Sequence, residues 1–422
     1  MLQANQLLTD HSIPTKLRPA PPEHGSVCAV AILIAASHLE QAQKLLNEHH
    51  IKLTGTYENK RTKLAHLVAQ LKGEIVTDAF LNIVKQIEAG ADLTASEIVY
   101  LLKSTNEKEI SILYHIADRM RKEIVGDVVD IRGAIEFSNI CEKDCTYCGI
   151  RKNLPGLSRY RMSEDEIMEI VTELHDAGFE TVILQSGEDL WWTADKINKL
   201  IKRIKKETGM KITLSVGERT YEEYVSFKEA GANNYLLKIE TTNPKIFKAV
   251  HPDGNLEQRL KCSEWLRSLG YLNGSGMIIG LPEQTAEDIA NDILYFKEMG
   301  INMIGIGPFV PARGTPLQDF PPGDIELTLK ALAITRIVCK RVYLPATTAL
   351  ATLDRQGQEK ALTAGANTLM LVNTPSKYRE NYQIYSSKLA VDLASAIKAV
   401  NAVGRPLPHF LQGVDTDGNK SQ

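Results

Sequence analysis

Three of the chain's six cysteines fall within eight residues, as Cys141, Cys145 and Cys148 in the run CEKDCTYC. Three thiolates at these spacings can hold three irons of a cubane cluster and leave the fourth iron open. In an electron carrier every iron is capped by protein. An open iron can be chelated by a ligand's amino and carboxylate groups, and an electron can then pass into a sulfonium held beside it. Zinc is the alternative metal, but three cysteines without a fourth Cys or a nearby His make a poor tetrahedral site. The next His downstream, His175, falls on a predicted helix. Cys28, Cys262 and Cys339 are scattered and read as small buried hydrophobes.

The elements around this loop alternate. Strands are predicted over 129–137, 181–185, 211–216, 234–240, 274–280, 301–310, 342–349 and 367–371. An amphipathic helix separates most neighbours. The helix at 164–178 carries Ser163 as N-cap, with Glu166 three residues on. Short apolar strands alternating with helices imply a parallel sheet with right-handed crossovers. Eight such units can close a (β/α)8 barrel, and six would leave it partial. The cysteine loop follows the first strand, at the end where such barrels keep their active face.

Strand ends supply the other polar candidates. In LQSGED, the turn Gln185, Ser186, Gly187 and Glu188 follows the second strand, and Glu188 can accept from an ammonium. Ser215 ends the third strand. Glu240 ends the fourth, where a carboxylate can take ribose hydroxyls. Arg259, on the next helix, suits a carboxylate as a bidentate partner. Tyr147 sits beside Cys148 and can shield a cluster or cover an adenine, and Gly149 permits close backbone approach. Arg132 and Lys238 lie within strand runs, where charge is costly unless paired. Thr347, Thr348, Tyr382 and Tyr385 fall near the last strands as candidate substrate contacts.

Composition is that of a globular protein, with 43% hydrophobic and 24% charged residues. A net charge of -3 argues for no nucleic-acid partner. The longest apolar run, 28–36, is far short of the about 20 residues that span a bilayer. It follows Asp10, Glu23 and four prolines rather than a basic start, so it reads as a buried strand and the protein as cytoplasmic. Four segments are expected. Residues 1–75 form an extension, irregular to 25 and then strand–helix–strand. A helical lead-in at 76–128, a barrel at 129–405 and a tail at 406–422 follow.

The set EFSN-CEKDCTYCGIRK, RYRM, LQSGED, IETTNP, GIGPFVP and PATTA resembles the HydE type of FeFe-hydrogenase maturase over roughly 78–405. Biotin synthase and methylornithine synthase share the barrel and the three-cysteine loop. The resemblance implies a radical S-adenosylmethionine (SAM) barrel in which one 4Fe-4S cluster cleaves SAM to a 5'-deoxyadenosyl radical. It also implies a small iron- or sulfur-containing precursor as substrate, a reductant such as flavodoxin or ferredoxin, and the other two maturases as partners. Lys238 stands where many members carry arginine. Residues 386–422 hold no Cys, so a second C-terminal cluster is not expected. A paralogue acting on another small substrate, or an iron–sulfur carrier or scaffold without chemistry, would share the cysteine loop.

Overall fold

A computed structural model describes residues 2–19, 30–53, 55–56, 73 and 75–412. Nine strands are described, numbered in chain order: β1 (Lys16–Pro19), β2 (Val30–Leu33), β3 (Asp130–Ser138), β4 (Thr181–Ser186), β5 (Lys211–Ser215), β6 (Asn234–Leu236), β7 (Leu272–Ile279), β8 (Met303–Pro308) and β9 (Thr368–Val372). Seven of them form one sheet in the order β8-β7-β6-β5-β4-β3-β9. Every pairing in that sheet is parallel.

The eighth stave is reduced to bridges. Residues 342–346 run between β8 and β9, where Tyr343 bridges Met303 and Pro345 bridges Thr368. The Tyr343 carbonyl accepts from Ile304, and Ala346 donates to the Thr368 carbonyl. The expected strand at 342–349 is therefore corrected. Pro345 has no N–H to extend a ladder, and Thr348 already begins a helix, Thr348–Leu353. The ring is closed on both sides of this stave.

Strand alternation assigns the two faces of β3. Ile131, Ile135 and Phe137 join the large apolar core under the helices, while Arg132, Glu136 and Ser138 point into the barrel. The β3–β4 register shifts between Glu136 and Ser138, which turns the chain where the cysteine loop begins. The helix Glu164–Asp176 starts with the expected Ser163–Glu166 capping box. Asn106 caps Glu107–Val125, the last lead-in helix. That helix packs against Ile325–Cys339, which is buried on nearly all sides between barrel and lead-in.

The N-terminal extension has its own small core of Ala4, Leu8, Ile13, Ala42 and Leu46, separate from the barrel core. Its start is not irregular as expected, because Leu2–Asp10 is a helix and β1 pairs antiparallel with β2. The β-like stretch 51–57 carries no strand among its described residues. The apolar run at 28–36 gives β2, whose Ala31, Ile32 and Leu33 are half-buried; Cys28 lies outside the described residues. At the other end, the Phe410 ring packs at a tilt against Phe179, 4.8 Å between centroids, and Leu411 is buried, so the tail docks as far as residue 411.

A separate core makes truncation testable. A chain beginning near Thr77 is expected to fold, take up iron and cleave SAM at the full-length rate. Cleavage rate and solution mass of the two proteins check this. Lost activity, or a mass change larger than the deleted segment, would show that the extension completes the barrel or a dimer.

Candidate active site

The cysteine loop is held from all sides by backbone contacts. Arg159 donates to the carbonyls of Asn139 (2.6 Å), Ile150 (2.8 Å) and Lys152 (3.1 Å). Asn139 donates to the carbonyls of Ser158 and Asn381 and accepts from Tyr160 N. Asp189 ties the next loop down, taking Arg161 bidentately at 2.7 and 2.9 Å and the Ser138 hydroxyl at 2.7 Å. The EFSN and RYRM motifs are thus the frame of the loop.

Two glycines are required by close approach. A Cβ on Gly187 would lie 2.2 Å from the Ile140 carbonyl oxygen, and one on Gly149 would lie 1.9 Å from that of Gln383. Both obstacles are backbone. Gly149→Ala should cost about 1–3 kcal/mol of stability by overpacking and lower iron content with it. Thermal melting and iron analysis of the variant check this; a wild-type value for both would mean that the loop tolerates displacement.

All three thiols are partly or largely buried, and burial pushes them upward, Cys148 to about 12. Without metal they are neutral, so binding must replace protons with iron. The Glu188 amide aims at Cys141 Sγ at 3.4 Å, and His251 Nδ1 stands 3.1 Å from Cys145 Sγ. Burial holds His251 down, to about 3, so it is a neutral imidazole. The histidine absent from the local sequence is therefore present in space. Yet among the described residues no three His, Cys, Asp or Glu side chains converge as a single-ion site does. A set of soft thiol donors spread over a glycine-shaped loop fits a cluster better than one zinc ion.

A polar network adjoins the thiols. The Lys143 ammonium lies 3.3 Å from Glu188, which also accepts from Glu218 N at 3.1 Å. Arg259 is buried, donates to the Lys238 carbonyl at 2.8 Å and pairs with the Glu218 carboxylate. Glu240 pairs with Lys238 at 2.8 Å and accepts from Tyr147 OH at 3.4 Å. The Tyr147 hydroxyl also lies 3.4 Å from His251 Nε2. Burial raises the Tyr147 phenol well above its ordinary range, so it stays protonated. Gln185 and Ser215 are paired neighbours at the ends of β4 and β5. The Ser186 hydroxyl donates to the Gly187 carbonyl at 2.6 Å, closing the turn.

Deeper candidates divide into two groups. Thr348 and Tyr385 are hydrogen-bonded at 2.6 Å, Thr347 donates to the Ile306 carbonyl, and Lys238 stands against Gly276. These line one side of the barrel near its mouth, and burial pushes Tyr385 up to about 12. Arg132 is at the other end. It pairs with Asp130 at 2.6 Å and lies 4.4 Å over the Tyr343 ring. Ser138 is six residue steps along β3 from it, about 20 Å at strand rise, so its partners place it at the barrel floor.

Sequence reading passed over Lys143, Glu218, His251, Glu136 and Lys388. Glu218 had a usable signal, since Gly217-Glu218 follows a strand end as Gly187-Glu188 does. The rest are brought in by contacts with residues distant in sequence.

Known proteins give this geometry a context. Residues 135–296 match the Radical SAM superfamily, and residues 1–58 match a family described as putative Se/S carrier protein-like. The chain is 46% identical over 279 residues, 66% of its length, to the [FeFe] hydrogenase maturase subunit HydE of Thermotoga maritima, covering 80% of that protein. A 3-methylornithine synthase of Methanosarcina acetivorans is 28% identical over 77% of this chain and 93% of its own. Among solved structures, methylornithine synthase (PylB) superposes with a TM-score of 0.70 at 23% identity over 78% of this chain and 98% of its own. The maturase HydG from Carboxydothermus hydrogenoformans gives 0.68 at 21% identity, over 81% of this chain and 82% of its own. No described helix is long and apolar enough to cross a membrane. With its three-cysteine loop at the mouth of a parallel α/β barrel, the chain belongs to the HydE family of radical SAM enzymes.

Proposed function

We propose that this enzyme serves assembly of the active-site cluster of an FeFe-hydrogenase, cleaving SAM at one 4Fe-4S cluster held by Cys141, Cys145 and Cys148. The observation that carries the reading is the likeness to HydE across four-fifths of that protein. When bound, the cluster supplies the electron that splits SAM into methionine and a 5'-deoxyadenosyl radical. The chain's own residues bind and orient. Glu188 and the turn Gln185–Gly187 take the amino end, Arg259 the carboxylate, and Glu240 with Ser215 the ribose. Tyr147 covers the adenine, and the loop around Gly149 keeps water from the thiols. Lys238, Thr347, Thr348 and Tyr385 face a small, iron- or sulfur-containing precursor deeper in the barrel.

The working partners in this reading are a flavodoxin or ferredoxin reductant and the other two maturases. Replacing HydE by this chain in a host expressing an FeFe-hydrogenase and those two maturases should restore hydrogenase activity. Absence of activity despite intact SAM cleavage would assign the enzyme to another small precursor.

A second reading concerns only residues 1–58. Their match to a putative Se/S carrier supports a role for the extension in presenting a chalcogen, with Cys28 as the thiol that the sequence offers. A Cys28→Ala protein that matures hydrogenase as well as wild type would remove this reading.

A further inference from the structure

The deepest unassigned ion pair in the barrel joins Glu136 and Lys388. Glu136 is on β3, five residues before Cys141, and its side chain is 4% exposed. The Lys388 side chain is 6% exposed although its backbone runs on the surface, in the segment that follows β9. Thr374 completes the cradle: its hydroxyl accepts from Glu136 N at 2.8 Å and donates to Glu136 Oε2 at 3.3 Å. The Tyr382 ring lies 5.0 Å from the Lys388 ammonium.

The cation arrives on a strap. Residues 382–389 cross the barrel mouth on scattered contacts, among them the Ser386 hydroxyl accepting from Arg313 N at 2.9 Å and the Tyr382 hydroxyl accepting from the Gln185 amide at 3.4 Å. Gly149 N donates to the Ile384 carbonyl, Ser386 N to that of Pro311, Tyr385 bonds Thr348, and Leu389 N donates to the Thr352 hydroxyl. Ser387, at φ 55, turns the chain in the left-handed region just before Lys388. A buried carboxylate needs a matched cation. Here the match comes from the strap across the mouth, whereas Arg132 at the floor is paired within its own strand. Across the barrel from the cradle, β7 and β8 carry Gly274, Gly276, Gly305 and Gly307; a Cβ on Gly305 would meet nothing nearer than 3.8 Å, whereas one on Gly276 would lie 2.1 Å from the Gly305 carbonyl oxygen.

A carboxylate oriented by a hydroxyl, with an aromatic face on the same ammonium, forms a receptor for R–NH3+. We propose that Glu136, with Thr374 and Tyr382, is the subsite for a primary ammonium on the substrate, and that Lys388 fills it as a self-ligand until substrate enters. The precursor is then an amine or an amino-acid derivative, and its binding turns the Lys388 side chain out to solvent while Tyr382 stays in place. This rests on reading the barrel as the reaction chamber.

Trypsin reports the state of Lys388, because it cuts only after a lysine or arginine whose side chain is free to enter its specificity pocket. The iron-loaded full-length protein is digested with n-propylammonium, with n-propanol, or with SAM alone, and cleavage after Lys388 is followed by mass spectrometry. Propylammonium should speed that cut about tenfold, equivalent to ~1.4 kcal/mol of displacement, while propanol and SAM leave it slow. Glu136→Gln should be cut fast with or without amine. In Lys388→Ala, propylammonium should raise the melting temperature and propanol should not, which covers a Glu136 variant that fails to fold. No response to propylammonium, an equal response to propanol, or release by SAM alone would overturn the ammonium subsite. SAM cleavage measured in the same samples separates the two readings, since its loss sinks the chamber and its persistence leaves only the subsite in question.

Discussion

Replacing Cys141, Cys145 or Cys148 by alanine is expected to take the protein from about four irons per chain, as one cubane requires, to almost none. SAM cleavage should vanish with the iron. The expectation follows from how the thiols are held. They are buried and neutral without metal, so the site depends on iron to displace three protons, and losing one thiolate leaves the cluster with two. Buried Cys262 and half-buried Cys339 sit elsewhere in the packing and give no replacement donor. Iron and sulfide analysis after anaerobic reconstitution reads the result. Full loading of the triple variant would sink the assignment, and a wild-type value near eight irons would reveal a second cluster.

Glu240→Gln and Arg259→Ala should each weaken SAM binding while leaving iron content unchanged. Loss of a charge-assisted hydrogen bond costs about 1.5–3 kcal/mol, or roughly 10- to 150-fold in affinity. The two variants differ in side effects. Glu240→Gln keeps the shape of the side chain and removes only the charge opposite Lys238. Arg259→Ala also leaves Glu218 with only the Lys143 ammonium at 3.9 Å, an under-compensated carboxylate that repels the cofactor's own. Arg259→Ala should therefore lie at the upper end of the range. Equilibrium binding to the reconstituted proteins tests this, and unchanged affinity in both variants would put the pocket on other residues.

Most of the frame was legible because its signals are local. Capping residues such as Asn106 and Ser163, apolar strands of three to nine residues and glycines after helices all act within a few positions. The stave at 342–346 was over-read, since Tyr343 and Leu344 look like strand until Pro345 removes a donor and a helix starts just after Thr347. The helix Leu2–Asp10 was missed because four nearby prolines outweighed one short apolar face, Ala4 and Leu8. The site was legible only as far as strand ends mark it. Cys145 meets His251 across 106 residues, and Glu136 meets Lys388 across 252, so only the closed ring joins them. Arg132 shows the converse, a buried charge whose partner Asp130 is two residues away on the same strand.

The most direct test of the account is the fate of SAM itself. Anaerobic protein with about four irons, reduced with dithionite and given SAM, should release 5'-deoxyadenosine and methionine in equal amounts. Cys148→Ala should release neither. Fully loaded, reduced wild-type protein that leaves SAM intact would contradict the account and leave an iron–sulfur carrier or scaffold in its place.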